Sequence, residues 1–314
     1  MLIDVSTMTQ WNKSDIVTVG HFAIDTMCSP WMKQAMTNLG GPPTYVSVAA
    51  ARLGAKASVI SKVGSDFPKE YRDWLQHNDI DLSGLKQVEG EATTKFSVKY
   101  QSTWKRKLQL RACAPPITAS DISSSLAAKV VHIAPIADEL SVEVVRKLRK
   151  SAFLLSLDPQ GFVRGFTARG NVRPKRWADS SILELADIYK SSLDEARLVV
   201  GAVGLRQAAR KIRDFGVKVI IVTEGMRGSM LLFDGVYQEV PACKPRALVD
   251  PTGAGDAYIG AFLAEYVRNK DPFWCACVGS AMASFVVEKV GPHGFGRNEE
   301  TYARAREIYG KHSW

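Results

Sequence analysis

Hydrophobic residues occur along this chain in short, nearly continuous runs, separated by stretches with helical spacing. Asp15–Gly20, Ala57–Gly64, Val130–Ala134, Phe153–Asp158 and Val217–Thr223 are rich in Val, Ile, Leu and Ala. Such runs predict strands buried on both faces. Between them, residues 45–53, Phe67–Asn78, Val142–Lys150 and Leu205–Phe215 place apolar residues three and four apart, as helices packed on a sheet do. Ser181–Ala186 and Asp194–Val200 read as the flanks of a short turn, and Gly228–Phe233 with Gly235–Val240 as a hairpin. Gly255–Arg268 and Phe273–Glu288 read as two long apolar helices. The alternation predicts an α/β fold: a mostly parallel central sheet with helices on both faces.

Residues 92–111 break that pattern. Thr93–Tyr100 alternates polar and apolar residues, and Leu108–Leu110 does so briefly. This predicts an antiparallel ribbon with one wet face. We read it as a small β lid inserted in the α/β domain, with lid segments at about 21–40 and 91–117. The domain then spans 15–310, preceded by a loose polar arm at 1–14. Ligands of open α/β sheets bind beyond the carboxyl ends of the strands, so a ribbon inserted there would cover the site.

Charge raises a second question. Lys and Arg number 41 against 32 Asp and Glu, a net +9 over 314 residues. Such a balance fits a polyanionic partner: nucleic acid, an acidic membrane or a phosphorylated small molecule. Basic residues cluster at Lys105–Lys107, Arg146–Lys150 and Arg206–Arg213; the last cluster has the spacing of a solvated helix face, and no nucleic-acid-reading motif accompanies any of them. Nucleic acid is therefore disfavoured. Five scattered cysteines without paired metal-site spacing read as buried reduced thiols. The first residues lack a secretory core, and no apolar stretch is long enough to span a membrane. A cytoplasmic protein without a membrane partner is the expectation.

The most informative chemistry lies in Asp250-Pro251-Thr252-Gly253-Ala254-Gly255-Asp256, between the strand-like Ala247–Val249 and an apolar helix. Gly253, Ala254 and Gly255 let backbone N–H groups approach a ligand closely, and they open a helix whose first N–H groups are unpaired and partly positive. That is an anion site. Asp256, in the first turn of the same helix, is placed to act as general base for a hydroxyl that attacks a phosphoryl group. His132 reads as a core histidine within a strand, and His293 as a turn residue.

This string resembles the C-terminal signature of the ribokinase-like (PfkB) family of sugar and nucleoside kinases. Gly40-Gly41 and the following helix to Gly54 resemble the N-terminal signature. Val19–Asp25 resembles the first strand and its substrate-binding acid. Thr223-Glu224-Gly225 with Gly228 resembles the nucleotide-binding turn. Ser192-Leu193-Asp194-Glu195 stands where the family has Asn-x-x-Glu. The segments 105–117 and 158–164 are most similar to the myo-inositol kinase branch.

The resemblance implies an ATP-dependent kinase that phosphorylates a hydroxyl of a small polyol, cyclitol or sugar, with Mg²⁺ as cofactor. Asp256 is the implied base, and the amides of Gly253, Ala254 and Gly255 stabilise the moving phosphoryl group. Asp25, Gly41, Tyr45 and Arg164 are implied at the substrate. Ser192, Thr223, Gly225, Gly228, Gly253 and Gly255 are implied at the nucleotide, and Glu195 at the metal. Tyr45 stands where the family's substrate-contacting Asn usually lies, which disfavours ribose, and Ser192 replaces the Asn of Asn-x-x-Glu. A nucleoside kinase on the same fold, with Tyr45 and lid aromatics stacking on a base, is the alternative. An inactive nucleic-acid-binding or regulatory protein is the alternative of another class. A homodimer paired through the lid is a further implication.

Overall fold

The computed structural model describes residues 14–30, 33–100, 106–177 and 179–310. Most of the arm read at 1–14, parts of both lid segments, and Lys105 lie outside the described residues. Ser14 itself opens the first strand, where Asp15 and Ile16 donate their amides to Lys56 O.

In chain order the strands are β1 (Ser14–Val19), β2 (Ala23–Cys28), β3 (Met36–Gly40), β4 (Ala57–Gly64), β5 (Ile80–Val88), β6 (Thr94–Tyr100), β7 (Arg106–Ala112), β8 (Ala128–Ile133), β9 (Ala152–Leu157), β10 (Arg164–Phe166), β11 (Val172–Pro174), β12 (Ile188–Ser192), β13 (Val219–Thr223), β14 (Ser229–Phe233) and β15 (Val236–Val240). The helices are α1 (Pro42–Arg52), α2 (Lys69–His77), α3 (Val142–Lys150), α4 (Leu193–Val200), α5 (Leu205–Arg213), α6 (Ala254–Tyr266), α7 (Pro272–Val286) and α8 (Asn298–Tyr309).

Nine strands form one sheet in the order β15-β14-β13-β12-β9-β8-β1-β4-β5. It is parallel from β13 to β5, and β14 and β15 extend it antiparallel. Successive strand residues point to opposite faces. In β1, Ile16 enters one core while Val17 and Val19 enter the other. Helices α1, α2, α6, α7 and α8 cover the Ile16 face, with Val46, Leu75, Phe262, Val278 and Ile308 buried there. Helices α3, α4 and α5 cover the opposite face with Val145, Leu148, Ala196 and Ile212. The fold is thus the expected α/β sheet covered on both sides.

Several local expectations need correction. The turn read between 186 and 194 is the central strand β12, and Ser181–Leu185 is a 3-10 turn. Lys190 and two serines interrupt the apolar run that would have marked β12 in the sequence. Ala247–Val249 is irregular, not a strand. The edge strand β5 and helix α8 carry too many polar residues to stand out as buried elements. Helix α1 begins at Pro42, because prolines cost nothing where the helix leaves its N–H groups unpaired. Gly41 before it has φ 84°, and a Cβ there would lie 2.4 Å from His21 O. Only glycine fits that entry.

The second sheet has the order β3-β2-β6-β7. Strands β2 and β6 are parallel, and β3 and β7 flank them antiparallel. One face buries Ala23, Met27, Phe96, Val98 and Tyr100 with Ile136, while Thr26, Cys28 and Lys99 are exposed on the other. The His21 ring ties the places where this sheet leaves the main domain, bonding Thr94 Oγ1 at 2.9 Å and Pro115 O at 3.1 Å. The hairpin β10–β11 docks on the same sheet. Leu110 N donates to Gly170 O at 2.8 Å, and Gln109 Nε2 donates to Arg169 O at 2.6 Å.

Candidate active site

A cavity of about 530 Å³ lies beyond the carboxyl ends of the central strands, roofed by the inner face of the small sheet. Every site residue singled out in the sequence lines it: Asp25, Gly41, Tyr45, Arg164, Ser192, Glu195, Thr223, Gly225, Gly228, Gly253, Ala254, Gly255 and Asp256. The strand order stretches them across the cavity, from β1 and its neighbours to β13 and β14.

The turn at its centre caps helix α6. Gly253 is left-handed, with φ 75°, and a Cβ there would lie 2.3 Å from the Tyr45 ring. The chain can therefore press against Tyr45 only as glycine. A Cβ at Gly255 would lie 2.7 Å from Lys190 Nζ. Lys190 pairs with Asp158 at 2.8 Å, the two side chains being 4% and 1% exposed. Burial alone would lower the Lys190 pKa, but Asp158, Asp256 and Glu195 together raise it. A fixed ammonium thus stands behind the amides of the turn.

Asp256 sits in the first turn of α6, and its Oδ1 is buried without a hydrogen-bond partner. An unpaired buried carboxylate oxygen is costly, and a ligand hydroxyl would satisfy it. Burial raises the Asp256 pKa above the usual carboxylate range; Lys190 opposes that shift and Asp158 adds to it.

Asp25, on β2, has its pKa raised to about 7, chiefly by burial. Arg106 and Arg164 pull it down, while Asp250 and Asp256 push it up. Gly40 on β3, paired with Ala23 and diagonal to Asp25, leaves room for this carboxyl, because a Cβ there would overlap it. Around Asp25 the wall is largely apolar: Ala23, Phe96, Val98, Leu108 and Ile136.

At the far end, Thr223 closes β13, Gly225 and Gly228 follow it, and Cys243, Pro245, Leu248, Ala283 and Val287 continue the wall. Ser192 and Glu195 form a capping box at the start of α4. Glu195 Oε2 accepts from Ser192 N at 2.9 Å and from Ser192 Oγ at 2.7 Å. Serine replaces asparagine here without loss of the cap. Among the described residues, no cluster of three His, Cys, Asp or Glu side chains could hold a metal by itself.

Outside the site, His132 is a core residue as expected. Its Nδ1 bonds Ser156 Oγ at 2.9 Å, and burial and then Lys190 lower its pKa to about 3. His293 packs edge-on against Trp74 and does not line the cavity. Cys243, Cys275 and Cys277 are buried, but Cys28 and Cys113 are exposed, contrary to the expectation of five buried thiols. Among the described residues no helix is long and apolar enough to cross a membrane.

Among the lining residues that the sequence reading did not place at the site are Lys190, Tyr100 and Arg106. Lys190 was hidden by the missed strand; its signal was a lone lysine two residues ahead of the capping box. Tyr100 and Arg106 lay in the alternating ribbon and the basic run, where nothing distinguishes a cavity-facing side chain from a solvated one.

The model of the pfkB family carbohydrate kinases matches residues 13–295. A cytidine kinase of Thermococcus kodakarensis is 32% identical over 283 residues, covering 88% of this chain and 97% of that protein. Among solved structures, a pyrophosphate-dependent kinase of the ribokinase family, complexed with a pyrophosphate analog and myo-inositol, is 26% identical with a TM-score of 0.76. The match covers 92% of this chain and 99% of that one. The nucleoside kinase of Methanocaldococcus jannaschii is 25% identical with a TM-score of 0.72, covering 93% and 98%.

Proposed function

This chain belongs to the pfkB family of carbohydrate kinases, phosphotransferases with a hydroxyl acceptor, and on that premise we propose that it transfers the γ-phosphoryl group of ATP to a hydroxyl of a nucleoside. The apolar wall around Asp25 carries the choice of acceptor. A cyclitol bears a hydroxyl on every carbon, and each one left facing Phe96, Val98, Leu108 or Ile136 would cost about 1–3 kcal/mol unpaired. A nucleoside sets its sugar hydroxyls on Asp25 and the backbone at Gly41, and its flat base on the aromatic side of the lid. Stacking of a base on an aromatic ring contributes about 1–3 kcal/mol. The identity to the cytidine kinase supports the same reading. A cyclitol or sugar acceptor, expected from the sequence, is the second reading, and the myo-inositol complex of a related kinase favours it.

In the proposed reaction, Asp256 accepts the proton of the attacking hydroxyl on its unpartnered oxygen. The amides at the start of α6, with Lys190 behind them, stabilise the charge on the moving group. Arg164 stands at the cavity edge between Asp25 and Asp256, its Nη1 donating to Ile136 O at 3.5 Å. The apolar slot past Thr223–Gly228 suits an adenine ring, which favours ATP over pyrophosphate as donor. Mg²⁺ fits this site as an ion carried on nucleotide phosphates and water near Glu195, since it needs few protein ligands; it would neutralise the triphosphate. The small sheet acts as the lid over the acceptor.

The test is a panel of cytidine, other nucleosides, myo-inositol, ribose, fructose and 2-keto-3-deoxygluconate, each with ATP or pyrophosphate and Mg²⁺. A cyclitol that strands two hydroxyls should trail the best nucleoside by about 100-fold in kcat/KM. Myo-inositol ahead of every nucleoside overturns the acceptor. No transfer from either donor to any acceptor overturns the kinase.

A further inference from the structure

We propose that Tyr100 is a positioning residue whose hydroxyl ties the lid to the anion-binding turn, so that the lid, once closed, sets the geometry of the amides on which transfer takes place. The proposal deepens the kinase reading above and rests on it.

The Tyr100 ring belongs to the lid's apolar face, packed with Phe96 and Val98. Its hydroxyl leaves that face and reaches the loop that enters α6. It donates to Asp250 Oδ1 at 2.9 Å and lies 2.8 Å from Thr252 Oγ1. A phenol has one proton to give. With that proton on the carboxylate, the Thr252 hydroxyl is the donor in the second bond. Burial, with Asp250 next in weight, raises the Tyr100 pKa to about 12, so the phenol remains a donor across the physiological range.

Asp250 is the hub of this contact. It is 1% exposed. Its Oδ1 also accepts Thr252 N at 3.0 Å, and its Oδ2 accepts Gly291 N at 3.1 Å. The carboxylate therefore fastens the loop before α6 to the loop after α7, and Tyr100 adds the lid, 150 residues away in sequence. Only Gly253 and Ala254 separate Thr252 from the amides of Gly255 and Asp256. The turn has no long side chain of its own to hold it. Tyr45 supports Gly253 from the α1 side, and Tyr100 holds Thr252 from the lid side. The hairpin's bond to the lid, Leu110 N on Gly170 O, is not made to the turn.

Tyr100→Phe keeps the ring and removes the hydroxyl, so amide hydrogen exchange of the ligand-free protein reads the coupling directly. The two hydrogen-bonded amides of the turn, Thr252 N on Asp250 Oδ1 and Ala254 N on Pro251 O, should exchange about tenfold faster than in the wild type, as for loss of a hydrogen bond to a charged group. Amides of β2 and β6 should stay within about twofold. Unchanged exchange at Thr252 and Ala254 overturns the proposal. So does equal acceleration in β2 and β6, which would make the hydroxyl a fastener of the lid alone. With cytidine as acceptor, kcat should fall about tenfold while KM for ATP holds within about twofold. An unchanged kcat in the variant also overturns the proposal. A wild type that phosphorylates neither cytidine nor any other nucleoside sinks the nucleoside reading instead, and the exchange experiment still decides the role of Tyr100.

Discussion

On the proposed function, the end of the cavity that takes the donor presents mainly backbone: the turn at Gly253–Asp256 and the bend at Gly225–Gly228, both set on a sheet whose two cores are closed. Where it meets the acceptor, it presents side chains: Asp25 and Arg106 from the lid, Tyr45 from α1, and Arg164 from the base of a hairpin that leans on the lid. Backbone on a packed core has one conformation to offer any phosphate. Side chains carried on a small sheet take their positions from how that sheet is docked. The difference places phosphoryl chemistry in the core and acceptor selection in the lid, and substitutions at the two ends should separate accordingly.

The largest effect belongs to Asp256. Asp256→Asn keeps the volume of the side chain and removes the base, and loss of general-base assistance should lower kcat by about 10²–10⁴. ATP binding, made by the far end of the cavity, should change by less than about threefold, within the spread of neutral surface contacts. Calorimetry with a non-hydrolysable ATP analogue, beside steady-state rates, checks both halves. Near-normal turnover would remove Asp256 as the base, and a parallel loss of nucleotide affinity would erase the division between the two ends.

The same division governs what the sequence could show. The donor end is written in contiguous strings. Gly253, Ala254, Gly255 and Asp256 are neighbours, as are Gly225 and Gly228, because a turn is made by residues adjacent in the chain. The Gly253–Asp256 turn is legible from its residue types alone, and so were the Val- and Ile-rich strands; the Gly225–Gly228 bend was legible only through its resemblance to the family's nucleotide-binding turn. The acceptor end draws on β2, β6, β7 and the hairpin, which meet only through sheet pairing and lid docking. Tyr100 meets Asp250 across 150 residues, and no local pattern marks that contact. Lys190 was lost for a different reason. A buried cation paired with Asp158 makes a core strand look like a polar turn, so the residue that serves the site also hid the element that holds it.

Asp25 gives the acceptor end a pH signature of its own. Its carboxyl titrates near 7, raised mainly by burial. The ionised form, with no proton to give, is the one that accepts two vicinal hydroxyls. Acceptor kcat/KM should therefore rise with pH toward 7, by up to about tenfold per unit on the acid side, and level off above it. In Asp25→Asn the limb near 7 should disappear and leave only the lower one of Asp256, whose pKa is raised to about 6. Stability runs the opposite way. A carboxyl with a raised folded-state pKa contributes stability that is fully present below its unfolded value of about 4 and is lost as pH rises through 7. The ligand-free wild type should thus lose melting temperature relative to Asp25→Asn between pH 5 and pH 8. Identical pH–rate profiles in the two proteins would assign the limb to another group.

The smallest effect tests the docking of the lid through the hairpin. Gly170 has φ 76°, and a Cβ there would lie 2.1 Å from Leu110 O. Gly170→Val must therefore move the hairpin tip away from β7 and break the bond from Leu110 N. Arg164 opens that hairpin and Leu108 lines the cavity two residues before Leu110, so the loosening is transmitted to the acceptor end. Loss of one backbone hydrogen bond, at about 0.5–1.5 kcal/mol, should raise acceptor KM by about threefold to tenfold. Among the described residues no hydrogen bond joins the hairpin tip to the turns at Gly225–Gly228 and Gly253–Asp256, and ATP KM should hold. A variant whose two KM values rise together would mean that the hairpin braces the whole cavity, and that the acceptor end is as rigid as the turn it faces.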